Sequence, residues 1–299
     1  MAAKDFQRLL KEAQDKRLVI TRQQRLKIAH VYRDAAHRYG REIARSGRSM
    51  SAVKAYAKEM RRQQRHMVEE LTAVITSGVK ETSDAVLEAH ISYYTSLSPA
   101  LRRQLRDRMS TVPQYVVDEL MHGGIYKDGA GISKRLWKIT DKYGHDIEYI
   151  ISRGIVENRS ALEITRDLEL FLKPGTEKPF EWSKVYPHAS DKVDFSAQRL
   201  ARTSVTHAYQ LANERSCEEN PFVTGWEWRS SNSGRVCPEC RARNGMIYAK
   251  GNVPLDHPLG MCVILPVIEK TPEEIASELT AWANGAKNPA LDRWLGEKD

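Results

Sequence analysis

A mainly helical protein with a small α+β module near its C-terminal end is the fold this sequence predicts. Three observations carry that expectation. Residues 1–98 show helical periodicity and no strand pattern. Residues 222–268 change texture to short apolar runs separated by turn residues. Three of the four cysteines and a histidine gather in that second stretch, between Cys237 and Cys262, which points to a module held by a metal.

The elements follow in order. Thr21-Arg-Gln-Gln24 reads as a capping box. Ile28, Tyr32, Ala35 and Tyr39 then share one face, so a helix over about 22–45 is expected. Ser46-Gly-Arg-Ser-Met-Ser51 breaks it. Val53, Ala57, Met60, Gln64, Met67, Leu71 and Val74 repeat at alternating spacings of four and three, a heptad seam with Gln64 as its polar interruption. A helix from 52 towards 95 would be roughly 65 Å long at about 1.5 Å per residue. It is expected to fold back on the first helix as an antiparallel hairpin; the competing use of the seam is a contact with another subunit. Ser98-Pro99 caps and opens a new helix, and Pro113 opens another. The Gly123–Gly131 stretch reads as a flexible loop with Ser133 capping the helix after it. Helices are expected over about 133–154 and 160–172, then an extended connector over 173–194 with Pro174, Pro179 and Pro187. A helix capped by Asp194 or Ser196 should run to about 219. Strands are expected at 223–228, 246–248 and 263–267. Thr271-Pro272-Glu-Glu starts a last helix, and Trp282 and Trp294 should dock the tail. The division that results is a basic long-helix arm (1–98), a helical middle domain with its connector (99–194), the cysteine module (195–270) and a helical tail (271–299).

Composition narrows the class. No apolar run reaches the ~18–20 residues needed to span a bilayer, so no membrane segment is expected. The N-terminus lacks the apolar core of a signal peptide, so residence in a cytoplasm is expected. The charge is uneven. Residues 1–66 hold 18 Lys and Arg against 6 Asp and Glu, a net of +12, while the whole chain carries only +8. Cations displace condensed counterions from phosphate, so this stretch is a candidate for sequence-blind contact with double-stranded DNA. Arg22, Arg25, Lys27, Arg61, Arg62 and Arg65 are the candidate contact residues. A solvated helix face is the competing explanation.

The cysteine module carries the chemistry. Cys237-Pro-Glu-Cys240 presents two thiols to one point, and His257 and Cys262 arrive from a later loop. Zinc favours thiolate and imidazole ligands in fours, and a closed set leaves no place for substrate. Cys237, Cys240, His257 and Cys262 are therefore the candidate ligands of one structural zinc. The alternative is that the cysteines are small buried apolar residues, with His257 bonding backbone in a turn. A zinc deaminase needs His-x-Glu, which is absent. A nuclease built on Asp256-His257 needs a further histidine downstream, and none follows. No other catalytic motif is present, so no enzyme activity is expected. A zinc-dependent, nuclease-like DNA-processing enzyme is the alternative function.

Several ordered segments carry a family resemblance. They are Ser133–Trp137, Ile147–Gly154, Ser160–Glu169, Gln198–Thr203 running into Thr206–Gln210, Trp226-Glu-Trp228, Cys237–Cys240 and Leu255–Pro258. Together, from about Leu136 to Cys262, they resemble the phage head morphogenesis family, the phage Mu F-like minor head proteins, in the version of tailed phages from Gram-positive hosts. Many members end the module with His-Pro-Asn-Cys-Arg-Cys, where this chain has His257-Pro-Leu-Gly-Met-Cys262. The resemblance implies a minor capsid protein associated with the portal inside the procapsid, active in head morphogenesis and in DNA packaging or ejection. It implies the portal protein, viral DNA and capsid or scaffolding protein as partners, and the virion interior as the final location. Within the motif, Arg202, Thr203, Trp226 and Trp228 are expected to be structural. For Arg202 an internal ion pair is expected, and for the tryptophans, alternating on a strand, core packing.

Overall fold

A computed structural model describes residues 5–46, 50–157, 195–231 and 236–296, together with positions 159, 160, 163, 164 and 167. The chain is mainly helical, with one small antiparallel sheet near the C-terminal end. Its helices are α1 (Phe6–Ser46), α2 (Met50–Leu97), α3 (Arg102–Met109) after a 3₁₀ turn at Pro99–Leu101, α4 (Val112–His122), α5 (Ile132–Val156) and α6 (Phe195–Ser216). Strand β1 (Gly225–Arg229), helix α7 (Pro238–Arg243), β2 (Ile247–Ala249), β3 (Val263–Val267), α8 (Pro272–Ala283) and α9 (Pro289–Leu295) complete it. The helix expected over 160–172 and the connector after it lie outside the described residues, apart from Ser160, Glu163, Ile164 and Asp167.

The residues group into two compact units. One comprises Met1–Thr21, Ser77–Leu120 and Arg202–Asp299; the other comprises Arg22–Thr76 and Met121–Ala201. In the second unit α1 and α2 run antiparallel. Gln24 on α1 donates to the carbonyls of Val74 (2.9 Å) and Ile75 on α2, while Arg38, further along α1, pairs with Glu70, further back on α2. Ile28, Tyr32 and Ala35 are fully buried there, as the periodicity requires, and Tyr32 meets Tyr143 of α5 edge to face at 5.3 Å.

Several local expectations are corrected, among them Ser133, which lies inside α5 and does not cap it. Thr21 and Gln24 do not cap a helix, because α1 begins fifteen residues earlier; the Thr21 hydroxyl bonds back to the Arg17 carbonyl and Gln24 crosses to α2. The seam on α2 also shifts. Met67 and Leu71 are fully buried and Val74 only partly, and Ile75 takes over. A straight α-helix drifts by about 20° per heptad, so a 3.5-residue repeat cannot keep facing one neighbour. Gln64 is half-buried and reaches Asp141, while its neighbour Gln63 is the buried one. The side chains of Val53, Ala57 and Met60 lie outside the described residues.

The first unit holds the functional module. Its aromatic core stacks Phe6 on Tyr93 at 4.3 Å and sets Tyr94 edge to face against Trp294 at 4.9 Å. Ser98 precedes the 3₁₀ turn without a side-chain cap. The Thr271 capping box is present in full, with Glu274 reaching back to the cap. Trp282 is buried and its indole donates to Asp292 of α9 (2.8 Å), a helix absent from the sequence expectations. The sheet has the order β2-β1-β3, with Trp226 opposite Tyr248 on one side and Trp228 opposite Ile264 on the other. Both tryptophans are buried, in one cluster with Cys217, Cys240, Cys262 and Ile264. The core-packing expectation for the pair is what the structure shows.

Candidate metal centre

Cys237, Pro238, Glu239 and Cys240 form the entry to α7. Cys237 is the N-cap, its sulfur accepts the Cys240 N–H at 3.3 Å, and proline occupies the first turn where no donor is needed. An i, i+3 spacing across a helix start puts both sulfurs on one side. The second half of the cluster comes from the loop over 254–262, whose shape is set by α6.

Helix α6 directs a polar stripe at that loop. Thr203 accepts the Leu259 N–H (3.2 Å), and Thr206 donates to the Gly260 carbonyl (3.3 Å). His207 Nε2 donates to the Asp256 carbonyl (2.8 Å). Gln210 donates to the Pro254 carbonyl (3.0 Å) and accepts the Asp256 N–H (3.3 Å). These four side chains are buried, and their spacing of three, one and three keeps them on one helix face. Each bond contributes about 1 kcal/mol net, and leaving any of these loop groups unpaired would cost more. The Thr203–Gln210 segment of the resemblance therefore has a physical role: it holds the histidine loop.

Within the loop, Gly260 N–H bonds back to the His257 carbonyl (2.8 Å), closing a turn over Pro258 and Leu259. Leu259 takes φ +65°, a region that non-glycine residues seldom enter. His257 Nδ1 donates to the Pro258 carbonyl (3.0 Å), which turns Nε2 towards the Cys237 sulfur at 3.3 Å. The Pro258 carbonyl is the first cause of a raised His257, and the Cys240 N–H the first cause of a lowered Cys237. Both directions favour the charged form of the group concerned.

Asp256, which the sequence presents only as a neighbour of His257, organises the loop. Its carboxylate is buried, with Oδ1 accepting the His257 N–H (2.9 Å) and Oδ2 accepting the Cys262 N–H (3.0 Å). It therefore grips both late-arriving members of the cluster by their backbone. A β-carbon on Gly260 would lie 2.0 Å from Oδ2 and 2.1 Å from Cγ, so only glycine leaves room for this carboxylate. Asp256-His257 was visible in the sequence, but nothing there marked the aspartate as buried.

The donor atoms form two overlapping sets. Those of Cys237, Cys240 and His257 lie within 4.8 Å of one another, as do those of Cys240, Asp256 and Cys262. Cys240 belongs to both. Burial pushes the Cys240 and Cys262 thiols up, so each holds its proton until something replaces it. The buried Trp228 indole N–H, in the same cluster as Cys262, has no hydrogen-bond partner. Soft sulfur donors, an imidazole whose other nitrogen is held by a carbonyl and a carboxylate that orients the ligands are the features of a metal centre and its outer shell. The cluster could hold a metal ion.

The other candidate residues are placed as follows. Arg22, Arg25, Lys27, Arg62 and Arg65 are exposed, and among the described residues only Arg62 of these has an acidic partner, Glu59 at 3.8 Å. The Arg61 side chain lies outside the described residues. Arg202 is half-buried and has no acidic partner among the described residues, so the ion pair expected of it is not seen there.

One further constellation escaped the sequence reading. Cys217 Sγ lies 3.5 Å from His90 Nδ1, and His90 Nε2 lies 3.0 Å from Asn213 Oδ1. The order matches a Cys-His-Asn nucleophile array. All three are fully buried, burial pushes the thiol up and the imidazole down to about 4, and both stay neutral. It is a polar network inside the core, with no path for substrate.

Comparisons with known protein families, with curated proteins and with solved structures find no match for this chain. No helix among the described residues is long and apolar enough to cross a membrane.

Proposed function

We propose that this chain is a structural protein of a tailed-phage head: a portal-associated minor capsid protein whose C-terminal module is stapled by one zinc. Cys237, Cys240, His257 and Cys262 would hold the ion, with Asp256 orienting the last two. Zinc there would cross-link the entry of α7 to the loop over 254–262. The observation that carries the structural-site reading is His257, with Nδ1 committed to a carbonyl and Nε2 turned to the cysteines. The virion reading is supported by the ordered resemblance between Leu136 and Cys262. On it, the protein acts in head morphogenesis and in DNA packaging or ejection, inside the capsid near the portal vertex, after synthesis in the host cytoplasm. Portal, viral DNA and capsid or scaffolding protein are the partners. Mass spectrometry of purified particles tests this: the chain should be present in DNA-filled heads at a few copies per portal, and its absence from them would end the reading.

The proposal assigns no catalysis. A zinc-dependent nuclease needs a carboxylate or histidine free to move a proton beside an open metal position. Asp256 is the nearest carboxylate, and both its oxygens are held by backbone N–H groups in a buried cradle.

DNA contact is proposed for the exposed cations of α1 and α2. Their helices also carry buried core residues such as Leu10, Ile28 and Leu71, so deletion would test folding instead of binding. Neutralising Arg22, Arg25, Lys27, Arg62 and Arg65 to Gln leaves the core alone. Duplex binding by fluorescence anisotropy should then weaken without change in sequence preference. The slope of log affinity against log salt should fall by about 1 for each cation that touched a phosphate. An unchanged slope would mean that these charges form only a solvated face.

A further inference from the structure

On α2, Arg62, Arg65, His66 and Glu69 recur at the spacing of one helix face, and Arg38 approaches them from the antiparallel α1. With Gln63 they line an open cleft of about 350 Å³, within the size range of small-ligand sites. The lining therefore sets three guanidiniums against a single carboxylate, Glu69, which is itself largely exposed. Glu70, outside the lining, holds two of the basic groups: its carboxylate lies 3.2 Å from Arg38 Nη2 and 3.5 Å from His66 Nε2. Glu59 accepts from Gln63 Nε2 (2.6 Å) and stands 3.8 Å from Arg62, too far for a hydrogen bond. Two buried atoms of the lining residues have no partner, Arg38 Nε and Gln63 Oε1. Such groups cost free energy that a bound ligand recovers.

We propose that this cleft binds a terminal phosphate group, as free hydrogen phosphate or as the phosphate monoester at a DNA end, with Arg38, Arg62 and Arg65 taking its oxygens. The planar guanidinium fork matches phosphate oxygens, and charge-assisted bonds are the strong ones. A terminal phosphate offers three free oxygens and carries about two negative charges above pH 7, so each guanidinium has an oxygen of its own. A phosphate within a chain offers fewer oxygens and a single charge, and its neighbours would meet the Glu69 carboxylate at the cleft. The site goes beyond the sequence-blind contact proposed for Arg62 and Arg65 by adding Arg38. It stands without that contact, since free phosphate is enough to fill it.

Isothermal titration calorimetry of the full chain tests this at matched ionic strength, with chloride as the reference anion. The probes are inorganic phosphate and a short oligonucleotide with or without a 5′-phosphate. Phosphate should bind saturably, at about one per chain. Arg62→Gln and Arg65→Gln, both at exposed positions, should each weaken binding roughly tenfold, the size of one charge-assisted hydrogen bond. Arg38→Lys keeps the charge but not the fork, and should lose about as much. Arg25→Gln removes an exposed cation outside the cleft and should stay within about twofold of wild type. Tighter binding of the phosphorylated oligonucleotide than of free phosphate identifies a DNA end as the ligand, and the reverse identifies free phosphate; either supports the site. Equal binding of the two oligonucleotides with no response to free phosphate overturns it and leaves only contact with in-chain phosphates. Wild-type affinity in any of the three cleft variants overturns it too. So does a loss in Arg25→Gln equal to that in Arg65→Gln, which would make the effect one of overall charge. The salt-slope experiment on duplex DNA reads a different quantity, so either reading can fail while the other stands.

Discussion

Gly260→Ala is expected to destabilise the cysteine module by about 3–5 kcal/mol, the range for breaking a buried, hydrogen-bonded charge. The new β-carbon would sit 2.0 Å from Asp256 Oδ2, well inside contact distance. The carboxylate must leave its cradle, and the N–H groups of His257 and Cys262 lose their acceptor inside the protein. Two of the candidate ligands then lose the contact that orients them, so metal affinity should fall with stability. Urea denaturation read by tryptophan fluorescence measures the effect, because Trp226 and Trp228 are buried in the same cluster as Cys240 and Cys262. Gly144→Ala is the control. It lies within α5 with nothing within 4 Å of the added carbon, and should stabilise by up to about 1 kcal/mol through helix propensity. A Gly260→Ala protein as stable as wild type would show that Asp256 does not occupy this cradle.

Acid should weaken the first unit through His90. Burial lowers this imidazole from its usual 6.5 to about 4. Below pH 6.5 the unfolded chain takes up a proton that the folded chain refuses until about pH 4. Stability attributable to His90 is therefore complete above pH 6.5 and lost as pH falls to 4, by about 3 kcal/mol. Glu214 works in the opposite direction, since burial raises it to about 6 and the folded state gains protons first. The difference between wild type and His90→Gln isolates the histidine. With chelator present throughout, so that metal release contributes nothing, His90→Gln should be less stable at pH 7 and lose less between pH 6.5 and 4. Parallel curves for the two proteins would contradict this account of His90.

The long helices were legible because periodicity survives in any context: Ile28, Tyr32, Ala35, Met67 and Leu71 are buried where their spacing put them. The strand at 263–267 and the capping box at Thr271 were legible for the same reason, as local chemistry with local consequences. The start of α1 was misread because Thr21 and Gln24 match a cap by residue type, and only tertiary packing tells a cap from a polar pair inside a long helix. The ligand candidates Cys237, Cys240 and His257 were legible from residue type and spacing, and the structure brings their donor atoms together. Asp256, Gly260 and His207 were not. Their significance lies in burial and in close approaches between distant segments, such as the 49 residues between His207 and Asp256, and no local pattern records either. The Cys217–His90–Asn213 network was hidden likewise, since its members are 123 and 127 residues apart.

The central claim is that Cys237, Cys240, His257 and Cys262 hold one structural metal. It is tested most directly by elemental analysis of protein purified without added metal, alongside Cys240→Ser, the variant that removes the sulfur common to both donor sets. The account predicts about one zinc per chain in wild type, near zero in Cys240→Ser, and a drop in the melting temperature of the module when wild type is stripped by chelator. Less than a tenth of a zinc per chain, in protein whose Trp226 and Trp228 fluorescence still reports a folded module, would contradict it.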